Sequence, residues 1–429
     1  MKYDQIDPSL FHLNRENFKK LLPNNAMALF LSNDEFPRSG DQNYLFKQNP
    51  DFFYLSGIDQ EQSILLIYPN CPNPLYKEVL FLRQTNDHIK VWEGHKYTKE
   101  QATAVSGIKT VYWLEDFDNI LQSIIHYADF IFLNTNENDR YAHTVTYRDL
   151  RFIETMRGKY PLHKYERSAP LMRKLRPIKS EIEIELTQKA CDLTNNAFRR
   201  VLKFVKPGVK EYEIEAEIIH EFIRQGATGH AYTPIIASGN NANILHYNDN
   251  NQQCKDGEVI LMDFGAEYAN YNADLTRTIP INGKFTVRQK EVYNAVLHVM
   301  NEAKKLLVKG AQWNAYHEQI GEIMTAQLVQ LKLLSMEDVR NQSPSYPAYK
   351  KYFMHGTSHH LGIDVHDLAS RYASFEAGNI LTCEPGIYIP AEGFGIRLEN
   401  NIVITENGNI DLTADIPIEA DEIEGLMNA

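Results

Sequence analysis

Cysteine is scarce in this chain. Cys71, Cys191, Cys254 and Cys383 are the only four in 429 residues, and none stands in a C-x-x-C pair or a regular spacing. That leaves no disulfide framework and reads as reduced thiols in a cytosolic protein. Long apolar runs are lacking too, so no segment is expected to span a bilayer, and Met1–Asp7 shows no basic-then-apolar signal. Positive charge is in deficit. The net charge of -12 disfavours broad binding to nucleic acid or an anionic membrane. The H-E-x-x-H helix of zinc proteases is also missing. What is present is ordinary globular material: 43% apolar and 23% charged residues, with 24 Tyr and 20 Phe arguing against disorder. The length favours two domains.

The first part of the chain carries short apolar runs bounded by Pro, Asn and Asp: Ala26–Ser32, Ser63–Tyr68, Val79–Arg83 and Phe130–Leu133. They read as strands of a mixed sheet covered by helices. A basic stretch with two prolines, Arg167–Pro177, marks the expected boundary, giving domains 1–174 and 175–429. Beyond it the rhythm changes. Ser180 and Glu183 form a capping-box signature ahead of a 3.6-period apolar pattern running to Phe204, and Tyr212–Gln225 follows as a second helix. Strands are expected at Ile235–Ile236, Val259–Asp263 and Ala273–Ile279. The order then repeats, with helices from Thr286 to Lys309 and from Trp313 to Leu334, and a strand pair holding Glu384 and Glu399. The fold class is therefore α/β (α+β), with two halves facing each other and two acids on each strand pair.

Those acids are hard to explain as packing. Asp263 ends the apolar run Val259–Met262, and Asp274 opens the next strand. A hairpin with an acid near its turn explains one such Asp. Two flanking so apolar a segment favour a metal, because buried carboxylates need partners. Glu384, inside an apolar strand, points the same way. Glu399 taken alone fits a solvent-facing strand edge, with Arg397 and Asn401 on its face. His355, His359, His360 and His366 fall within twelve residues, beside Gly356 and Gly362, and favour a site. His246 reads as a loop histidine. Four carboxylates and one imidazole (Asp263, Asp274, Glu384, Glu399 and His359) can hold two divalent cations and support hydrolysis.

In order along the chain, D-F-G-A-E-Y-x-x-Y-x-A-D-L-T-R-T, H-G-T-S-H-H-L-G-I-D-V-H-D, E-P-G-I-Y-I and G-I-R-L-E-N resemble the motifs of the Xaa-Pro aminopeptidases of the pita-bread metallopeptidase superfamily. Residues 38 to 58, R-S-G-D-Q-N-Y-L-F-K-Q-N-P-D-F-F-Y-L-S-G-I, resemble the family's auxiliary domain. The resemblance spans nearly the whole chain. It implies an amino-terminal auxiliary domain, a pita-bread catalytic domain, and two divalent metals, most often Mn²⁺. Asp274 and Glu399 would bridge the metals, Asp263 would complete one, and His359 with Glu384 the other. Glu384, His246 and His366 take catalytic roles in that picture. His355 and Tyr232 contact substrate, and Arg397 and Tyr388 support the ligands; Trp92 either contacts substrate by reaching a neighbouring subunit's active site or is an ordinary packing residue of the amino-terminal domain. The implied reaction removes the residue before a proline at position two. Such a bond has no N–H and a constrained ring, so it demands a dedicated pocket. The implied assembly is a homodimer or homotetramer in the cytoplasm, acting on peptides and not on nucleic acid or membrane.

The chain departs from the family pattern at His360, where an aromatic is commoner, at Thr357, where Leu is common, and at Lys47, where a bacterial relative commonly has Arg. Xaa-Pro dipeptidase is the nearest alternative, and Ser358 before His359 favours the aminopeptidase. A non-catalytic pita-bread binding protein is the other, and the complete ligand set argues against it.

Overall fold

The computed structural model describes residues 3–140 and 144–429; Met1 and Lys2 of the amino-terminal stretch read above lie outside them. The chain divides into Gln5–Arg176 and Pro177–Ala429, with Asp4 grouped in the second unit.

The amino-terminal unit is built on a six-stranded sheet. Its strands run, edge to edge, Val111–Trp113, Glu78–Leu82, Ile64–Ile67, Ala26–Leu31, Phe130–Leu133 and Lys164–Arg167. Pairing is antiparallel around Ile64–Ile67 and parallel elsewhere, so the sheet is mixed. The central runs are continuously apolar because they are buried on both faces. The two edge strands escaped the sequence reading for the opposite reason. Val111–Trp113 is three half-buried residues, and Lys164–Arg167 is polar and mostly exposed. The helix Pro50–Ser56 starts on an Asn49 cap and stops at Gly57, whose φ of 67° is left-handed. A Cβ there would also collide with the Phe11 ring.

In the second unit the Ser180–Glu183 capping box starts the helix Glu181–Leu202. That helix ends two residues short of Phe204. Glu211–Arg224 follows, and the strands Ile235–Ser238, Val259–Asp263 and Thr276–Pro280 form one antiparallel sheet. Here the structure corrects the expected strand Ala273–Ile279. A small hairpin, Ala266–Tyr268 with Tyr271–Asn272, is inserted between the two acids, turning at Ala269 and Asn270 with φ of 52° and 67°. Asp274 therefore precedes its strand. Its neck is tight: a Cβ on Gly265 would lie 1.8 Å from the Ala273 carbonyl oxygen, so only glycine lets the chain close behind Asp263 and Asp274.

The second half repeats the order. The Thr286–Gln289 box starts Val287–Leu306, and Trp313–Gln330 ends four residues before Leu334. The strands Ile380–Cys383 and Asn400–Thr405 pair, as do Gly386–Ile389 and Phe394–Arg397. The two halves meet where Glu399 N donates to Thr276 O at 3.0 Å and Thr278 Oγ1 donates to Arg397 O at 3.2 Å. Among the described residues no helix is long and apolar enough to cross a membrane.

Candidate metal centre

Each acid is delivered by a strand end. Asp263 closes its strand opposite Ile235 and Thr276, and Glu384 follows Cys383. Glu399 sits between Phe394–Arg397 and Asn400–Thr405. It is 2% exposed, which rules out a solvent-facing edge. Strand alternation turns Cys383 away, toward the Met300 carbonyl.

Asp274, His359 and Glu399 bring one ligand atom each within 4.8 Å of one another. His359 Nε2 lies 3.3 Å from Asp274 Oδ2 and 3.6 Å from Glu384 Oε1. His359 Nδ1 is 3.0 Å from the His360 carbonyl, which can only accept, so Nδ1 carries the proton and the Nε2 lone pair faces the carboxylates. Lone pair against carboxylate is repulsive unless a proton or a cation lies between them. Arg397 supplies the centre's guanidinium, its Nη2 2.5 Å from Asp263 Oδ2. With all four carboxylates ionised, this one guanidinium would leave three negative charges uncompensated.

Electrostatics records the strain. Burial, reinforced by Asp274, Glu384 and Asp263, pushes Glu399 well above the usual carboxylate range. Burial lifts Glu384 to about 7, with His359 and Arg397 opposing it. Burial also raises Asp263 despite Arg397. His359 is pulled down by burial, but Asp274 and Glu384 more than offset this and raise it. Tyr232 adds a chemical test, because its hydroxyl is 2.5 Å from both Asp263 Oδ1 and Asp274 Oδ1. One phenol proton satisfies one carboxylate, so the pair needs a further cation or proton. Oxygen-rich, proton-deficient and buried, the donor set fits divalent cations.

The remaining side chains form a second layer. His355 Nε2 accepts from Tyr388 Oη at 2.7 Å, and Arg397 Nη1 donates to the same oxygen at 3.0 Å. Burial, then Arg397, drops His355 to about 3, so its ring is neutral. Its Nδ1 is 3.6 Å from Glu384 Oε2. His366 packs edge-on against His359 with ring centroids 4.4 Å apart. His246 is on an exposed loop, close enough to His355 to contribute to lowering it. Trp92 lies on the helix Asp87–Glu93 of the amino-terminal unit and is 76% exposed. His360 stacks on Trp313 at 6.0 Å and 13°.

Two residues went unnoticed in the sequence, and so did the part played by a third, Asn401, the neighbour of Glu399 on its strand face. Thr276 Oγ1 donates to Glu399 Oε2 at 2.7 Å, and Thr382 Oγ1 donates to Glu384 Oε1 at 3.3 Å. Asn401 grips the Asp274 backbone. Their signal was positional: each stands two residues from an acid, on the same strand face.

Paired strand ends that present buried acids and one Nε2-exposed histidine define a metal-dependent hydrolase. Residues 185–406 match the model of metallopeptidase family M24, and residues 11–132 match that of the aminopeptidase P N-terminal domain. The chain belongs to metallopeptidase family M24. It is 34% identical to the Xaa-Pro aminopeptidase of Haemophilus influenzae, over 96% of this chain and 95% of that one. Among solved structures, Pseudomonas aeruginosa aminopeptidase PepP superposes with a TM-score of 0.89 at 30% identity, covering 99% and 98%. Zn-substituted Escherichia coli aminopeptidase P in complex with product gives 0.87 at 30%, covering 99% of each.

Proposed function

We propose that this metallopeptidase removes the amino-terminal residue from peptides whose second residue is proline. The observation that carries the reading is the set Asp263, Asp274, His359, Glu384 and Glu399, three buried and two (Asp263 and Glu384) half-buried, in a chain alike over its full length to Xaa-Pro aminopeptidases. The same likeness argues against an Xaa-Pro dipeptidase, and the intact ligand set argues against a binding protein without catalysis.

Asp263, Asp274, His359, Glu384 and Glu399 would together hold two cations. Manganese suits oxygen donors with one imidazole. Held there, the cations would supply Lewis acidity for the carbonyl before proline and would lower the pKa of a water toward neutrality. Glu384 moves the proton from that water toward the leaving imino nitrogen. His246 and His366 donate to the carbonyl oxygen as charge builds on it. Neutral His355 lines the proline pocket, held by Tyr388. Tyr232 holds the carboxylates at the end of the cleft that takes the free amino terminus. Arg397 fixes Asp263 and keeps Tyr388 aimed at His355.

Four buried, free cysteines support a reducing, cytoplasmic setting. Exposed Tyr44, Leu45, Val91 and Trp92 support a homodimer or homotetramer. The deciding experiment strips metal, restores each divalent ion in turn, and assays an Xaa-Pro-Yaa tripeptide beside an Xaa-Pro dipeptide. Manganese-restored cleavage of the tripeptide is expected; cleavage of the dipeptide alone would overturn the reading.

A further inference from the structure

Glu211 is a fully buried carboxylate that the chemistry above does not use. It opens the helix Glu211–Arg224, where the helix dipole favours an anion, and among the described residues no Lys, Arg or His forms an ion pair with it. Five donors surround it. Oε1 accepts from Ser238 N at 2.8 Å, Ser238 Oγ at 2.7 Å and Asn241 Nδ2 at 3.2 Å. Oε2 accepts from Tyr247 Oη and Gln252 N, each at 2.8 Å.

All five donors belong to one segment, Ser238 to Gln252. That segment has no α-helix and no strand beyond Ser238, only the short turn Gly239–Asn243. It carries His246 between two of the residues Glu211 holds, Asn241 and Tyr247. His246 itself is exposed, and a loop of this length has no ladder of its own to fix a side chain. Tyr247 extends the hold inward. It is buried in a cluster with Ile235, Ala237, Ala242, Leu261 and Tyr388, and Tyr388 is the residue bonded to His355.

We propose that Glu211 is a positioning residue that sets His246 over the reaction centre by fastening both sides of its loop. The proposal rests on the function proposed above. The buried charge is retained because only a carboxylate presents acceptors on both oxygens. A glutamine turns one end into a donor, which must face either the Ser238 group or the Tyr247–Gln252 pair.

The test measures kcat/KM on an Xaa-Pro-Yaa tripeptide for the full chain, Glu211→Gln, His246→Ala and the double variant, with bound metal quantified in each. Glu211→Gln is expected to lose roughly 10²-fold in kcat/KM, as a displaced catalytic group does. Bound metal should stay unchanged, and the double variant should match His246→Ala alone. Losses that multiply in the double variant, or no loss in Glu211→Gln, overturn the proposal. If Glu211→Gln does not fold, Tyr247→Phe removes one of the five bonds and is held to the same non-additivity. Amide exchange gives a readout independent of substrate. Exchange across 239–252 should accelerate in Glu211→Gln while that of 214–224 stays slow, and unchanged exchange in the loop also overturns the proposal. Should the unaltered enzyme cleave no Xaa-Pro peptide, the proposed function fails, and the exchange data still decide whether Glu211 orders the loop.

Discussion

Asn401 binds both main-chain groups of Asp274: its Oδ1 accepts from Asp274 N at 3.0 Å and its Nδ2 donates to Asp274 O at 2.5 Å. The favour is returned across the same gap, because Thr276 Oγ1 donates to Glu399 Oε2. Each of these two proposed metal ligands is thus braced by the side chain two residues after the other. Arg277, fully buried, ties the pair further by donating to the carbonyl oxygens of Thr276 and Glu399. Asn401→Ala leaves two buried backbone groups unpaired and frees Asp274 to shift. Affinity for Mn²⁺, measured by titration calorimetry, should fall about 10–100-fold, the range for residues that orient metal ligands. Unchanged affinity would show that the strands alone fix the acids.

Glu384 is both a proposed ligand and the proposed proton carrier, so its removal should separate activity from stability. Glu384→Ala takes away a buried carboxylate that burial already lifts to about 7. Turnover of an Xaa-Pro-Yaa peptide should drop by at least roughly 10²–10⁴-fold, the contribution of acid–base catalysis. The thermal midpoint of the metal-free protein should not fall, because repulsion among the acids is relieved. Retained full activity would sink the two-metal reading.

Much of this centre was legible because strand periodicity and apolar context expose a misplaced acid. Asp263 and Glu384 stand out at the ends of apolar runs, and the capping boxes at Ser180 and Thr286 announce the helix that opens each half. The hairpin between Asp263 and Asp274 was not legible. Its strands are three and two residues long, too short for a period, and its turn uses Ala269 and not glycine at positive φ. Glu211 was hidden for another reason. A Glu at the start of a helix is expected on the surface, and only the return of the loop Ser238 to Gln252 covers it. His360 looked anomalous in sequence, and the structure accounts for it as a flat ring stacked on Trp313.

His230 gives a pH test away from the ligands. Its ring meets Phe222 edge-on at 5.3 Å, and both ring nitrogens are buried with no hydrogen-bond partner among the described residues. Burial lowers it to about 4, against about 6.5 in the unfolded chain. The unfolded chain therefore takes up a proton that the folded one refuses, so stability is complete above pH ~6.5 and is lost as pH falls toward 4. His230→Phe keeps the ring and removes both unpaired atoms. It should stabilise by about 1 kcal/mol near neutrality. The gain should be larger near pH 5, read from denaturant midpoints at the two conditions. An equal gain at both would mean that the folded ring titrates normally.

Trp92 separates a surface residue from one shared between subunits. The residue is 76% exposed, its ring is tilted at 47° against His88, and its neighbour Val91 is 79% exposed. A side chain with so little covered surface contributes little to folding, so Trp92→Ala should move stability by less than about 0.5 kcal/mol. If the exposed Val91–Trp92 pair meets a second copy of the chain, the same substitution should shift the sedimentation coefficient toward smaller species. It should also lower the rate on Xaa-Pro-Yaa peptides at low protein concentration. We expect both changes together, because a homodimer or homotetramer is the assembly proposed here. An unchanged sedimentation profile with an unchanged rate on long and short peptides would return Trp92 to the ordinary surface of the amino-terminal unit.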